Sequence, residues 1–189
     1  MAKTTKEIKR KKKKWFSIYT NQNFNNSKIG ESLGSEASDL IGRKININLG
    51  TLFNDSKRQS INGIFKIKEV KGDNAIAEIT GYELSQSHLK RVMRRSKDKI
   101  EDSFICETKD KVKIRIKPFM ITKAKTKRSI LAALKHKSRE FFNDICTKMD
   151  YNTLIESVIL NKVQKDLKNY VKKTYPIVLC EIRILERIN

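Results

Sequence analysis

The spacing of apolar residues changes after Pro118, and that change restricts the fold more than any other feature of the chain. Before it, the period is two. Ile45, Ile47 and Leu49 alternate with Lys44, Asn46 and Asn48, as expected of a strand with one face buried. Residues 61–70 and 75–80 read as two further strands joined through Lys71-Gly72-Asp73-Asn74, good chemistry for a short hairpin, and Gly81 is expected to end this meander. Residues 104–107 turn through Thr108-Lys109-Asp110 into a strand over 112–121. After Pro118 the spacing becomes helical, with Ile130, Leu134, Phe141 and Ile145 forming a stripe that Leu131 and Phe142 widen. A second helical stretch opens near Asp150 or Asn152. Ile155, Val158, Ile159, Val163, Leu167, Tyr170 and Val171 give it one continuous apolar face. Tyr175-Pro176 ends it, because the residue before a proline disfavours helix, and residues 177–188 resemble a closing strand. Strands first and helices after predict an α+β fold: a β-barrel-like antiparallel sheet, then packed helices and a closing C-terminal strand.

Charge bears on the partner rather than the fold. Forty-two Lys and Arg stand against 21 Asp and Glu, a formal charge of +21 on 189 residues. Self-repulsion makes that imbalance a cost for an isolated fold. It is normally tolerated where the partner is a polyanion, and nucleic acid has the most regularly spaced charge of these. The cations are grouped. Residues 3–14 hold eight against Glu7 alone, among them Lys9, Arg10, Lys11, Lys12, Lys13 and Lys14, and read as an arm (1–14) without structure until a partner neutralises it. Trp15, Phe16, Ile18 and Tyr19 supply the first apolar anchor; Trp15 either stacks on bases or pins the arm to the body, and packing is the commoner role of an aromatic. Residues 21–39 read as an extended loop and Arg43 opens regular structure.

A second group, Lys90, Arg91, Arg94, Arg95, Lys97 and Lys99, surrounds a short helix capped by Ser85 or Ser87, with Leu89, Val92 and Met93 as its apolar face. In the third, Lys111, Lys113, Arg115 and Lys117 line one face of the strand over 112–121, spaced about 7 Å apart like successive phosphates, and no acid interrupts the row. Lys123, Lys125, Lys127 and Arg128 follow it. The named cations other than Lys99, together with Arg43 and Trp15, are the candidate RNA contacts. The body, 15–189, is expected to form one RNA-binding domain, mainly β over 15–125, mainly helical over 126–175, and closing with a strand over 176–189.

Other classes find little support. Cys106, Cys146 and Cys180 have neither CxxC nor CxxH spacing, so they read as small buried hydrophobes in a reducing compartment, with no metal site. No apolar run reaches the ~18–20 residues of a membrane span, and no apolar segment of a signal peptide follows the first lysines, so a soluble intracellular protein with no membrane partner is expected. There is no phosphate loop, GxGxxG or HExxH, and His88 and His136, on basic helical stretches, are expected to have no carboxylate orienting them. No catalytic residue and no cofactor is expected.

Short tags then carry a resemblance: Lys14-Trp15-Phe16 with Tyr19, Ile29-Gly30-Glu31-Ser32, Ile41-Gly42-Arg43, Val70-Lys71-Gly72-Asp73 and Gly81-Tyr82-Glu83-Leu84. They continue in Leu89-Lys90-Arg91-Val92-Met93-Arg94-Arg95, Thr108-Lys109-Asp110, Ile114-Arg115, Thr122, Tyr175-Pro176-Ile177 and Ile182-Arg183. In order and spacing the chain resembles the small-ribosomal-subunit family of archaea and eukaryotes called "eS-one", formerly "S-three-A-e". The resemblance implies a structural constituent of the cytoplasmic small subunit, with a nucleolar stage in assembly if the source is eukaryotic. It implies a place on the platform near the 3′ end of the small-subunit rRNA and the mRNA exit. Its partners would be that rRNA and neighbouring ribosomal proteins, with contact to mRNA left open. Residues 56–63 and most of 21–39 depart from the pattern, and the chain stops soon after the Tyr-Pro strand. A free RNA-binding assembly factor or chaperone, and an RNA-modifying enzyme, remain as alternatives.

Overall fold

The computed structural model describes residues 12–21 and 26–188. Lys9, Arg10 and Lys11 of the expected arm lie outside them. Nine strands occur among the described residues: β1 (Lys14–Thr20), β2 (Lys28–Gly34), β3 (Lys44–Asn48), β4 (Ile61–Lys71), β5 (Asn74–Leu84), β6 (Lys99–Glu101), β7 (Phe104–Glu107), β8 (Lys113–Thr122) and β9 (Ile177–Arg187). With them are five helices: α1 (Leu49–Phe53), α2 (Gln86–Val92), α3 (Arg128–Lys148), α4 (Tyr151–Ile159) and α5 (Lys162–Lys172). The strands hydrogen-bond in the order β2-β1-β5-β9-β8-β6, with β4 on β5, β3 on β4 and β7 on β8. The α+β expectation holds, with the three longest helices late and a strand last. The sheet is mixed rather than wholly antiparallel, because β1 runs parallel to β5 from Ser17↔Asn74 to Thr20↔Ala77, and it does not close into a barrel. Alternation along a strand reveals which side chains are inward; it does not reveal the direction of the neighbour.

Two compact units divide the chain, residues up to 45 with 65–79, and residues 46–64 with 80 onward. In the first unit β1 turns Phe16, Ile18 and Thr20 inward and pairs antiparallel with β2. The loop expected over 21–39 therefore contains a strand. Its sequence, Lys28 to Gly34, shows no clean period of two, so pairing with β1 and not local pattern makes it a strand. The hairpin between β4 and β5 turns where the Lys71-Gly72-Asp73-Asn74 chemistry predicts, with Gly72 at φ 62°.

The second unit carries the helices. β8 lies between β9 on one side and β6 and β7 on the other, and its Ile114, Ile116, Phe119 and Met120 are completely buried. Pro118 donates no hydrogen bond, and it sits where the β8–β9 register shifts. β5 continues past Gly81 to the buried Tyr82 and Leu84, contrary to the expected end of the meander. A Cβ at Gly81 would lie 3.2 Å from the carbonyl oxygen of Leu185, so glycine here admits the β9 backbone instead of ending the strand.

The helical faces are rotated from those expected. α3 buries Leu134, Ser138, Phe142 and Cys146, every fourth residue, and leaves Ile130, Phe141 and Ile145 half-buried. Phe142 meets Phe104 of β7 with ring centroids 5.7 Å apart, and Phe141 lies 5.5 Å from Tyr170 of α5. The single helical stretch expected to open near Asp150 or Asn152 is two helices, because Asn161 takes a left-handed conformation (φ 57°) between α4 and α5. Asparagine adopts that region more readily than most residues, a signal that apolar spacing alone hides. α5 packs against β9 and α3. All three cysteines are buried and free, and burial pushes the Cys180 thiol up to about 12.

Candidate nucleic-acid interface

The structure joins two of the three basic groups within the second unit. α2 ends at Met93, whose ψ of 128° turns the chain out of the helix, and Arg94–Lys97 forms a turn closed by the Lys97 N–H donating to the Arg94 carbonyl at 3.2 Å. β6 then pairs with the end of β8, Lys99 opposite Ile121. Past that point Asp98 binds the next loop directly. Its N–H donates to Thr122 Oγ1 at 3.0 Å, and its carbonyl accepts the Thr122 N–H at 3.0 Å. Its carboxylate Oδ2 accepts the Thr126 N–H at 2.6 Å. Residues 90–99 and 123–128 together carry ten cations and one carboxylate, and that carboxylate is the clasp.

Lys90, Arg91, Arg94, Arg95, Lys123, Lys125, Lys127 and Arg128 are exposed, and Lys97 is half-buried. Arg94, Arg95, Lys97, Lys123, Lys125, Lys127 and Arg128 make no ion pair with a described carboxylate. Lys99 does, with Glu101 at 3.6 Å. Mutual repulsion among so many close, unpaired cations is relieved by water and salt, or by a polyanion. Asp98 was missed by sequence reasoning, which followed positive charge. The signal was available: one acid stands among ten bases, and two threonines follow 24 and 28 residues on.

The row on β8 is different from its expected form. Lys111 is off the strand, in the turn before it, at φ 58°. Lys113, Arg115 and Lys117 do share a face, but residues directly opposite across a ladder also share it. Lys113 faces Glu107, and Arg115 faces Glu186, with 3.3 Å between charged atoms. Lys117 faces Ile184, whose own partner on the next strand is Glu83. Three carboxylates thus interleave with three cations. Two of them come from β5 and β9, strands whose adjacency no local pattern reveals.

The remaining candidates also separate. Lys12, Lys13 and Lys14 are exposed at the start of β1, in the first unit, and Trp15 beside them is 65 % exposed. The packing role favoured for that indole is not seen; Phe16 takes the inward position. Arg43, also in the first unit, is occupied internally: its Nε donates to the Asp39 carbonyl at 2.9 Å and its Nη1 to Leu33 O and Ser32 Oγ at 2.8 and 3.0 Å. His88, expected to lack a carboxylate, lies 3.3 Å from Glu181. Arg91 stands 3.2 Å from His88 Nδ1; a guanidinium only donates, so Nδ1 accepts and Nε2–H points at Glu181. The bond also holds Arg91 against its helix.

The ribosomal S3Ae family model matches residues 2–188, all but two residues of the chain. The chain belongs to that family. Relatives named small ribosomal subunit protein eS1 agree with it: 30% identity over 183 residues for Nanoarchaeum equitans, covering 97% of this chain and 92% of the relative. The Archaeoglobus fulgidus protein is 31% identical over 176 residues, covering 92% and 83% of the two chains. That of Methanoregula boonei is 33% identical over 166 residues, covering 88% and 83%. The family is one of ribosomal structural proteins, not of enzymes, as the absence of a catalytic signature in the sequence led one to expect. Among the described residues no helix is long and apolar enough to cross a membrane.

Proposed function

We propose that this chain is a structural constituent of the small ribosomal subunit, held on rRNA chiefly by the cations of 90–99 and 123–128. The observation that carries the reading is the Asp98 clasp, which fixes two exposed basic segments side by side and leaves most of their charges without protein partners. Family membership supplies the ribosomal context. Affinity would come from phosphate contacts with release of counterions, and position from shape, the usual division for structured RNA. Lys12–Lys14 and Trp15 would add contacts from the first unit. Lys113 and Arg115 would contribute less, since carboxylates already face them, and Lys117 has Glu83 one strand beyond the Ile184 opposite it. The finer placement, on the platform near the rRNA 3′ end and the mRNA exit with ribosomal proteins as neighbours, is part of this proposal and has the family resemblance as its support.

Sedimentation tests the reading. A tagged chain should travel with mature small subunits in near-stoichiometric amount through a high-salt gradient. Replacing Arg94, Arg95, Lys125 and Lys127 by alanine should release it at lower salt. Appearance on precursor particles alone would identify an assembly factor instead. Crosslinks from the 123–128 loop to RNA remote from the 3′ end would overturn the placement while leaving the ribosomal role intact.

A further inference from the structure

Against the first basic segment, where it meets the end of β8, lies a cavity of about 230 Å³ lined by Met93, Arg94, Lys97, Asp98, Lys99 and Ile121. Its composition is unusual for a phosphate-binding surface. Met93 belongs to the apolar side of α2 by spacing, yet only Leu89 of that side is fully buried. Met93 is 39 % exposed, turned outward by the extended backbone that ends the helix. Ile121, on β8, lies almost wholly buried beneath the recess and forms its apolar floor. A hydrophobic recess ringed by Arg94, Lys97 and Lys99 suits neither an apolar protein side chain, which would bring no charge to the rim, nor an RNA helix, whose bases are stacked inside.

We propose that this recess receives one unpaired nucleotide of the bound RNA, its base against Met93 and Ile121 and its flanking phosphates on Arg94 and Lys97; the proposal rests on the RNA-binding reading above. The polar edge of such a base also has a partner. Asp98 Oδ2 is engaged by Thr126, and Oδ1 of the same carboxylate is left to accept an amino or imino N–H. The volume is below the ~300–1,000 Å³ of sites that enclose a drug-sized ligand, in keeping with one base rather than several. A methionine is polarisable and adaptable enough to contact the face of any base, so the contact would be tolerant of sequence. Recognition of RNA by splayed-out bases is common where duplex grooves cannot be read.

The test compares the full chain's affinity for a 12-nucleotide single-stranded RNA of mixed sequence with that for a ribose-phosphate oligomer of equal length lacking bases, over a range of salt. Wild type should favour the base-bearing oligomer by about 5–10-fold, the low end of what one base contact contributes. Met93→Ser, at an exposed position, should bring that preference down threefold or more while leaving the salt slope and the affinity for the baseless oligomer unchanged. Trp15→Ser is the comparison, because its exposed indole is the other surface on which a base could stack. A preference that survives Met93→Ser and disappears with Trp15→Ser overturns the proposal. Equal, salt-sensitive binding of both oligomers by wild type also overturns it, but spares the RNA-binding reading. Salt-independent or absent binding of both removes that reading and the pocket together.

Discussion

Asp98→Ala separates charge from architecture, because the two make opposite predictions for it. Removing an acid raises the net charge by one, and if the basic segments acted only as a diffuse positive field, RNA would bind more tightly and with a steeper salt dependence. In the structure, however, that carboxylate holds the Thr126 N–H at 2.6 Å and lies 3.5 Å from Thr126 Oγ1. A charge-assisted hydrogen bond to a backbone N–H contributes about 1.5–3 kcal/mol; at a half-buried site, screening brings that to about 1–2 kcal/mol. For a chain of this length that loss corresponds to about 2–8 °C in melting temperature. The backbone bonds between residues 98 and 122 survive the substitution, so the sheet persists and the 123–128 loop alone is loosened. Ordering that loop again on RNA should weaken binding about 5–30-fold, the equivalent of the bond that was lost. Asp98→Asn keeps an acceptor for Thr126 while removing the same charge, and should stay close to wild type in both measurements. Thermal unfolding and filter binding to small-subunit rRNA at two salt concentrations read the outcome. Tighter binding by the alanine variant, or identical behaviour of the two variants, would refute the claim that the clasp organises the interface.

Other substitutions probe separate parts of the argument. Neutralising Lys113, Arg115 and Lys117 to alanine should lower the salt slope of rRNA binding by less than neutralising Lys123, Lys125 and Lys127, since Glu107 and Glu186 face the former; the reverse order in a salt titration would restore β8 as the principal surface. Asp102 accepts two bonds from Arg139, at 2.6 and 2.8 Å, which hold its carboxyl below the ordinary 3.8. A carboxyl lowered on folding stabilises above its ordinary value and loses that contribution as pH falls through its folded one. Asp102→Asn should therefore cost about 1 kcal/mol at neutral pH and nothing in strong acid, and a pH-independent difference in urea unfolding would disprove the pairing's role. Phe142→Ala empties a fully buried site against Phe104 and should destabilise by about 3–5 kcal/mol in the same assay; a loss below 1 kcal/mol would show that α3 does not pack through this face.

How far the sequence could be read depended on whether a feature was local. The β4–β5 turn, the β7–β8 hairpin and the end of the helical region at Tyr175-Pro176 are encoded by neighbouring residues, and each stands where its chemistry places it. The break at Asn161 was equally local but concealed by apolar residues that continue on both sides. β2 was illegible because it has no period of its own and exists by pairing with β1. Trp15 and Phe16 show the same limit: two adjacent aromatics on a strand must point opposite ways, yet only the packed structure reveals which one is inside.

By itself the sequence determined the α+β class, the surplus of positive charge, its grouping and the family resemblance, because composition and short-range pattern survive without coordinates. Tertiary structure alone decided which cations are available. It set Glu186 opposite Arg115, folded Arg43 back onto the chain that precedes it, and used Asp98 to bring residues 123–128 beside 97–99. The physical reason is that a charge is counted along the chain but neutralised through space, by whatever carboxylate or carbonyl the fold delivers within a few ångströms.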